Sequence, residues 1–515
     1  MKGNYIQIMK DKLYGFKERR YFKALVAGTL TTLIGAALVV GLVMPRHTSG
    51  QSYGLKDSPA ATSKSSDTPI VNPRSAAFSF ADIVQKVSPS VVTIRSDIKT
   101  KQSADVSQFF NDPFFRQFFG GQAPKQQPRM EHALGSGVIV RADGVILTNN
   151  HVVDGAQKIT VEFPDRTTYT AKVVGTDPLS DLAVLRIDAK NLPALPMGDS
   201  DKVRVGDVVL AIGNPLGLRQ TVTSGIISAK GRQTGLSDGS FEDFLQTDAP
   251  INQGNSGGAL VDVDGELIGI NSQILSPSGG NIGIGFAIPS NMAKSVLNQL
   301  LATGKVHRGM LGIGIQDLTS GLAKSFGMKD DNGVLVNSVK EGSPAAAAGM
   351  KQGDVVVAFN GEKVTDANGF RNKVANEKPG TTVDLTVFRN GSEVNLKAKL
   401  TEFTLEKGTV DESGDSQGGT DDSTGGKLGL TVEPLTPPIA NRLNLENVDK
   451  GVVITQVASG SKAEDAGLRQ GDVILQINRK PVSTLEEVRS AITSSGDGPV
   501  LLLVDRANQT FFLTL

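Results

Sequence analysis

Short apolar runs with turn signals between them dominate the middle of the chain. Ser90-Val91-Val92-Thr93-Ile94, Gly137-Val138-Ile139-Val140, Val145-Ile146-Leu147, Ile159-Thr160-Val161-Glu162-Phe163 and Val208-Val209-Leu210-Ala211-Ile212 each read as a strand. Their spacing predicts an antiparallel barrel or sandwich rather than alternating strands and helices. Phe80-Ala81-Asp82-Ile83-Val84 reads as a short helix opening this region, and Ser290 to Leu301, closed by Gly304, as the helix ending it. Two other patterns bracket the strands. Residues 24–44 form an uncharged apolar run of 21 residues, preceded by seven Lys/Arg within the first 23 positions. As a helix this run would span about 31 Å, a bilayer core, with the basic end in the cytoplasm. No small-residue cleavage site follows it, so a retained anchor is favoured over a cleaved signal peptide. Residues 45–77 are rich in Ser, Pro, Thr and Lys and read as a tether.

Between about 100 and 129 the strand pattern breaks. Phe109, Phe110, Phe114, Phe115, Phe118 and Phe119 lie there among polar residues. So many phenylalanines need cover, either on their own barrel or on another subunit. Further on, Gly342 to Val364 and Gly460 to Val482 match at 11 of 23 positions with an offset of 118 residues, so two similar domains stand in tandem. Gly408 to Gly426, with six Gly, five acidic and no basic residues, reads as a linker between them. The expected plan is therefore 1–44 basic segment and apolar helix, 45–77 tether, 78–304 first domain, 305–403 first repeat, 404–426 linker and 427–515 second repeat.

Composition narrows the chemistry. Lys+Arg and Asp+Glu are both 53, so nothing points to nucleic acid. Cysteine is absent, which removes disulfides, thiolate metal sites and a cysteine nucleophile. No phosphate-cradling glycine motif ending in Lys-Ser/Thr occurs, so no nucleotide engine, cofactor or metal is expected. Only four histidines exist: His47, His132, His151 and His307.

Gly254-Asn255-Ser256-Gly257-Gly258 suits a serine nucleophile. Acyl transfer needs backbone N–H groups aimed at the developing oxyanion, and glycines permit that turn. The donors are expected from Gly254, Asn255 and Ser256, with Gly254 and Ser256 foremost. The motif also fits the nucleophile elbow of α/β-hydrolases, where acid and then histidine follow the serine. Here the only histidine after Ser256 is His307, at a domain boundary. Before it come His151, after an apolar strand, and Asp181, opening another. The order His, Asp, Ser is that of chymotrypsin-type double barrels. Asp177 and Asp188 lie near Asp181 and compete with it on spacing, whereas Asp154 is too close behind His151 to be preferred.

The stretch Leu245 to Leu260 (LQTDAPINQGNSGGAL), Thr148 to Gly155 (TNNHVVDG), Asp181 to Leu185 (DLAVL) and Gly213-Asn214-Pro215 with Gly217 resemble the HtrA/Deg family of serine proteases. The resemblance runs from about Phe78 to the C-terminus and points to its two-PDZ periplasmic members. It implies a mostly β chain: a chymotrypsin-like double β-barrel protease domain, then two PDZ domains behind an N-terminal membrane-spanning or signal helix. It implies catalysis by His151, Asp181 and Ser256, a regulatory role for the Phe-rich segment, and a homotrimer or a multiple of it. PDZ domains hold chain ends by strand addition and a nest of N–H groups. The matching loop is Met310-Leu311-Gly312-Ile313 in the first copy and Leu428-Gly429-Leu430 in the second; the family commonly has an aromatic where Met310 stands. The expected function is ATP-independent degradation of unfolded or damaged proteins in the cell envelope. A peptide-binding or chaperone-like scaffold with a latent protease, or a regulatory protease cutting one membrane partner, are the alternatives.

Overall fold

The computed structural model describes residues 79–99, 130–214, 220–235, 240–252, 254–276, 280–404, 428–445, 448–496 and 498–515. The apolar run 24–44, the Phe-rich segment and most of the Gly-rich linker lie outside these residues. Among the described residues no helix is long and apolar enough to cross a membrane.

The first six strands are β1 (Val91–Lys99), β2 (Met130–Arg141), β3 (Val145–Thr148), β4 (Ala156–Glu162), β5 (Thr168–Asp177) and β6 (Leu182–Arg186). They close into an antiparallel barrel in the order β1-β2-β3-β6-β5-β4. Six more follow: β7 (Val208–Gly213), β8 (Thr221–Arg232), β9 (Phe244–Thr247), β10 (Ala259–Val261), β11 (Leu267–Ile274) and β12 (Gly285–Pro289). They close a second barrel in the order β10-β11-β12-β9-β8-β7.

Several strands read as continuous apolar runs because both of their faces are buried. Ile146, Ala183 and Leu185 fill the interior of the first barrel. Their neighbours Val145, Leu147, Leu182 and Val184 point the other way, into a core shared with Leu210, Ile212, Ala259 and Val261 of the second barrel. Helix Ser290–Thr303 covers that shared core with Ala293, Val296, Leu297 and Leu300 and ends on Gly304, whose φ of 74° is the left-handed conformation a helix C-terminus favours. The helix begins and ends within two residues of the sequence expectation.

Two six-stranded units follow. In the first, strands Ile313–Asp317, Val334–Val339, Val355–Phe359, Thr382–Arg389 and Ser392–Lys399 lie in that order, with Glu362–Lys363 paired to the third. In the second, Leu430–Pro434, Val452–Val457, Val473–Ile477, Leu501–Arg506 and Gln509–Thr514 repeat it, with Lys480–Pro481 in the matching place. The internal repeat has a polar signature as well as an apolar one. Asp354 is buried and takes a two-pronged hydrogen bond from Arg389, which also donates to Gly349 O. Asp472, Arg506 and Gly467 repeat the arrangement. The two units share a core of their own: Leu318, Leu322, Phe326, Leu335 and Val355 of the first meet Leu501, Leu503 and Phe512 of the second.

Candidate active site

His151 lies on a single helical turn, Asn150–Val153, immediately after β3 rather than within the strand. That turn is fastened to one residue. Asp181 O accepts from Asn150 N at 3.1 Å and from Asn149 Nδ2 at 2.9 Å. Asp181 Oδ1 accepts from His151 N at 3.0 Å, and Oδ2 lies 2.8 Å from His151 Nδ1. Asp181 makes these contacts from a left-handed conformation, φ 53° and ψ 43°, just past the 3-10 turn Pro178–Ser180. Non-glycine residues adopt such angles rarely and at functional positions disproportionately. Ser272 Oγ donates to Asp181 Oδ2 at 3.1 Å from β11 of the other barrel. With the carboxylate an acceptor, Nδ1 carries the ring proton and Nε2 offers its lone pair to the cleft. The His151 side chain keeps 37% of its surface open there.

Burial alone would lower the His151 pKa. The Asp181 charge and its hydrogen bond act the other way and prevail, so the pKa is held above 6.5. Among the described residues only Asp181 of the four carboxylates considered reaches the His151 ring. His132 and His307 also meet carboxylates, Asp97 at 2.8 Å and Glu402 at 2.7 Å, on exposed surfaces. A carboxylate partner therefore does not by itself distinguish His151; the second grip on Asp181 through its backbone N–H does.

Ser256 sits in the turn before β10, facing the first barrel. Its carbonyl accepts from Ser136 N of β2 at 2.8 Å. Ser136 Oγ donates to Gly254 O at 2.6 Å and accepts from Asn214 N at 2.8 Å. Thr148 Oγ1 donates to Ser136 O at 2.7 Å. The glycines answer to this crowding. Gly257 has φ 82°, and a Cβ there would lie 2.1 Å from Ser136 O and 2.4 Å from Thr148 Oγ1. Gly135 stands between the His151 turn and the serine: a Cβ there would lie 2.7 Å from the Val152 methyls and 3.2 Å from Ser256 O. Behind the serine, Gly257 N donates to Asn271 O at 2.8 Å and Asn271 N to Gly258 O at 2.9 Å.

Among the described residues neither Gly254 N–H nor Ser256 N–H meets an acceptor. Asn255 N–H, expected with them, donates to Asn252 O at 2.9 Å. Ser256 Oγ makes no hydrogen bond to His151 among the described residues. Ser136, Thr148, Asn271 and Ser272 escaped the sequence reading. Each lies in a strand, Thr148 at the end of the apolar run Val145–Thr148, and all four are buried.

The loops at Gly312 and Gly429 are built alike in both repeats. Gly312 has φ 75°, a Cβ there would lie 2.5 Å from Ser343 Cβ, and its carbonyl accepts from Lys340 N at 2.9 Å. Gly429 has φ 76°, with Ser461 Cβ at 2.3 Å and Ala458 N donating to its carbonyl at 2.8 Å. Each loop opens into an edge strand of its sheet, Ile313–Asp317 or Leu430–Pro434. Asp317 Oδ1 accepts from Ala367 N at 2.7 Å and so ties the first of these strands to helix Ala367–Asn376.

Comparison with known proteins agrees with this architecture. Residues 135–270 match a trypsin-like peptidase domain, and 309–400 and 453–506 each match a PDZ domain. The chain is 40% identical over 509 residues to a probable periplasmic serine endoprotease DegP-like from Chlamydia muridarum (strain MoPn / Nigg), covering 96% of this chain and 99% of that one. The chain belongs to the HtrA family of DegP-like serine endoproteases. A relative with the same description from Marinomonas sp. (strain MWYL1) is 44% identical over 421 residues, 79% of this chain and 87% of its own. Among solved structures, HtrA-type protease AlgW with decapeptide is 46% identical with a TM-score of 0.51, covering 64% of this chain and 100% of that one. AlgW with tripeptide is 43% identical with a TM-score of 0.53, covering 64% and 99%. The protein is thus a serine endopeptidase: a trypsin-like double barrel followed by two PDZ domains.

Proposed function

We propose that this endopeptidase degrades unfolded or damaged proteins in the periplasm without ATP, through an acyl-enzyme on Ser256. The observation that carries the reading is the hold on Asp181: its carboxylate grips both the ring and the backbone of His151, beside a serine turn packed on the same barrel edge. Ser256 Oγ attacks the peptide carbonyl while His151 Nε2 takes its proton. The oxyanion forms against Gly254 and Ser256 N–H. His151 returns the proton to the leaving amine, and water then releases the acyl group by the same route. Residues 78–304 form the protease domain, 305–403 and 427–515 the PDZ domains, joined by 404–426. The PDZ loops 310–313 and 428–430 hold substrate C-termini. The working form is a homotrimer or a multiple of it, held at the inner membrane by residues 24–44.

Purified protein should digest an unfolded substrate such as casein, and Ser256→Ala should not. Equal digestion by both would sink the assignment. Suppression of substrate aggregation that persists in Ser256→Ala would establish a separate holding activity.

A further inference from the structure

The turn that presents Asp181 is held from outside the protease barrels. Arg308 lies between helix Ser290–Thr303 and the first PDZ sheet, and is only 8% exposed. Its Nη1 donates to Asp177 Oδ1 at 2.9 Å and its Nη2 to Asp177 Oδ2 at 2.5 Å. Asp177 is 4% exposed and also accepts from Ser180 Oγ, the residue before Asp181. A second hand grips the same turn. Phe241 N donates to Leu179 O at 2.8 Å, and the Phe241 ring lies 4.7 Å from the guanidinium carbon of Arg308 on one hand and of Arg371, from the first PDZ domain's helix, on the other. Phe403, whose N–H donates to Arg308 O at 2.8 Å, packs edge-on against that ring at 5.4 Å.

A buried ion pair is a poor device for stability alone, because desolvation offsets most of its attraction. What it supplies is a fixed geometry: the planar guanidinium accepts one orientation of the carboxylate. Here that orientation sets Asp177 and Ser180, the two residues that frame the 3-10 turn. The turn's exit is Asp181 in a left-handed conformation that an isolated chain would rarely adopt. We propose that Arg308 is a positioning residue for catalysis, holding Asp181 against His151 through the Asp177–Ser180 link. Attack geometry in the protease barrel then depends on a side chain at the entrance of the first PDZ domain.

This inference rests on the proposed roles of His151 and Asp181, and its test separates the two. Arg308→Gln, the milder Arg308→Lys and Ser180→Ala are compared with wild type in the full chain, using a short unstructured peptide substrate. Arg308→Gln is expected to lower kcat about 10–100-fold, the penalty for a small misplacement of a reacting group, with KM nearly unchanged. The acid limb of its kcat/KM profile should move to lower pH as His151 loses part of the Asp181 charge. Ser180→Ala should move both in the same direction by less. Arg308→Lys should restore only part of kcat, since an ammonium cannot make the paired contact. Titration of His151 by NMR in histidine-labelled protein reads the same shift without cleavage, and works in Ser180→Ala should Arg308→Gln fail to fold. Unchanged His151 titration in Ser180→Ala and Arg308→Lys, with wild-type kcat, would overturn the proposal. Wild-type protein that cleaves nothing, while the variants still show the His151 shift relative to it, would overturn the proposed function instead.

Discussion

Asp181 carries more of this site than its single carboxylate suggests. It orients the His151 ring, caps the His151 turn through its carbonyl and binds Ser272 across the barrel interface. Its charge is also what holds the His151 pKa above 6.5 against the opposing pull of burial. Only neutral imidazole serves as base, so kcat/KM should fall as pH drops through a value above 6.5. Asp181→Asn should cost about 10³–10⁴ in kcat, the size seen when the orienting acid of such a triad is neutralised, and move the acid limb downward. A pH–rate profile of both proteins checks this. Stability has the opposite sign. A raised folded-state pKa contributes stability in full below the unfolded value, and that contribution is lost as pH rises through the folded one. Gly257 makes a second residue-level case. Gly257→Ala must place a methyl 2.1 Å from Ser136 O at φ 82°. It should destabilise the protease domain by about 2–4 kcal/mol, read as a lower melting temperature, and abolish cleavage.

At the scale of elements, the last strand of the second PDZ domain is a case of managed edge. Gln509–Thr514 ends its sheet, and an open edge invites pairing with other chains. Gln316 of the first domain closes it as a neighbouring strand would: its Nε2 donates to Phe512 O at 2.9 Å, and its Oε1 accepts from Phe512 N at 2.7 Å. Phe326 and Phe512 pack edge to face at 5.3 Å beneath this contact, both 5% exposed. Phe512→Ala should cost about 3–5 kcal/mol. Calorimetry should show the second PDZ domain melting separately and earlier than the first, whereas wild type melts the two together. The repeat made the two domains legible from 23 aligned residues. Their shared core was not legible, because Phe326 and Phe512 are far apart in the chain and each reads as an ordinary core residue of its own domain.

For the whole molecule, the junction between protease and first PDZ domain carries unbalanced charge. Asp243 is desolvated and feels Asp201 and, from the PDZ helix cap, Asp366, while Lys230 only partly compensates, so its pKa rises from 3.8 to about 6. The folded protein therefore keeps a proton that the unfolded chain has released, and stability falls as pH climbs from about 4 through 6. Asp243→Asn removes the titration. It should be more stable than wild type at pH 7.5 by about 1–3 kcal/mol, with the difference fading below pH 5, as melting curves at the two pH values will show.

The sequence by itself pointed to a serine endopeptidase, proposed His151, Asp181 and Ser256 as its chemical groups and showed the repetition of the C-terminal modules. These rest on residue type and on periodicity, which are local properties. Strand positions in the barrels were legible for the same reason, since strands buried on both faces read as apolar runs. Tertiary structure alone decided which carboxylate holds His151. Asp177 and Asp188 compete with Asp181 on spacing, and in the fold it is Asp181, from a left-handed conformation, that meets the His151 ring and backbone. It also decided that Asn255 N–H turns inward onto Asn252 O. The partners of the serine turn come from strands that are distant in the chain, as does the Arg308 that braces Asp177. Long-range packing chooses such contacts, and no local pattern encodes them.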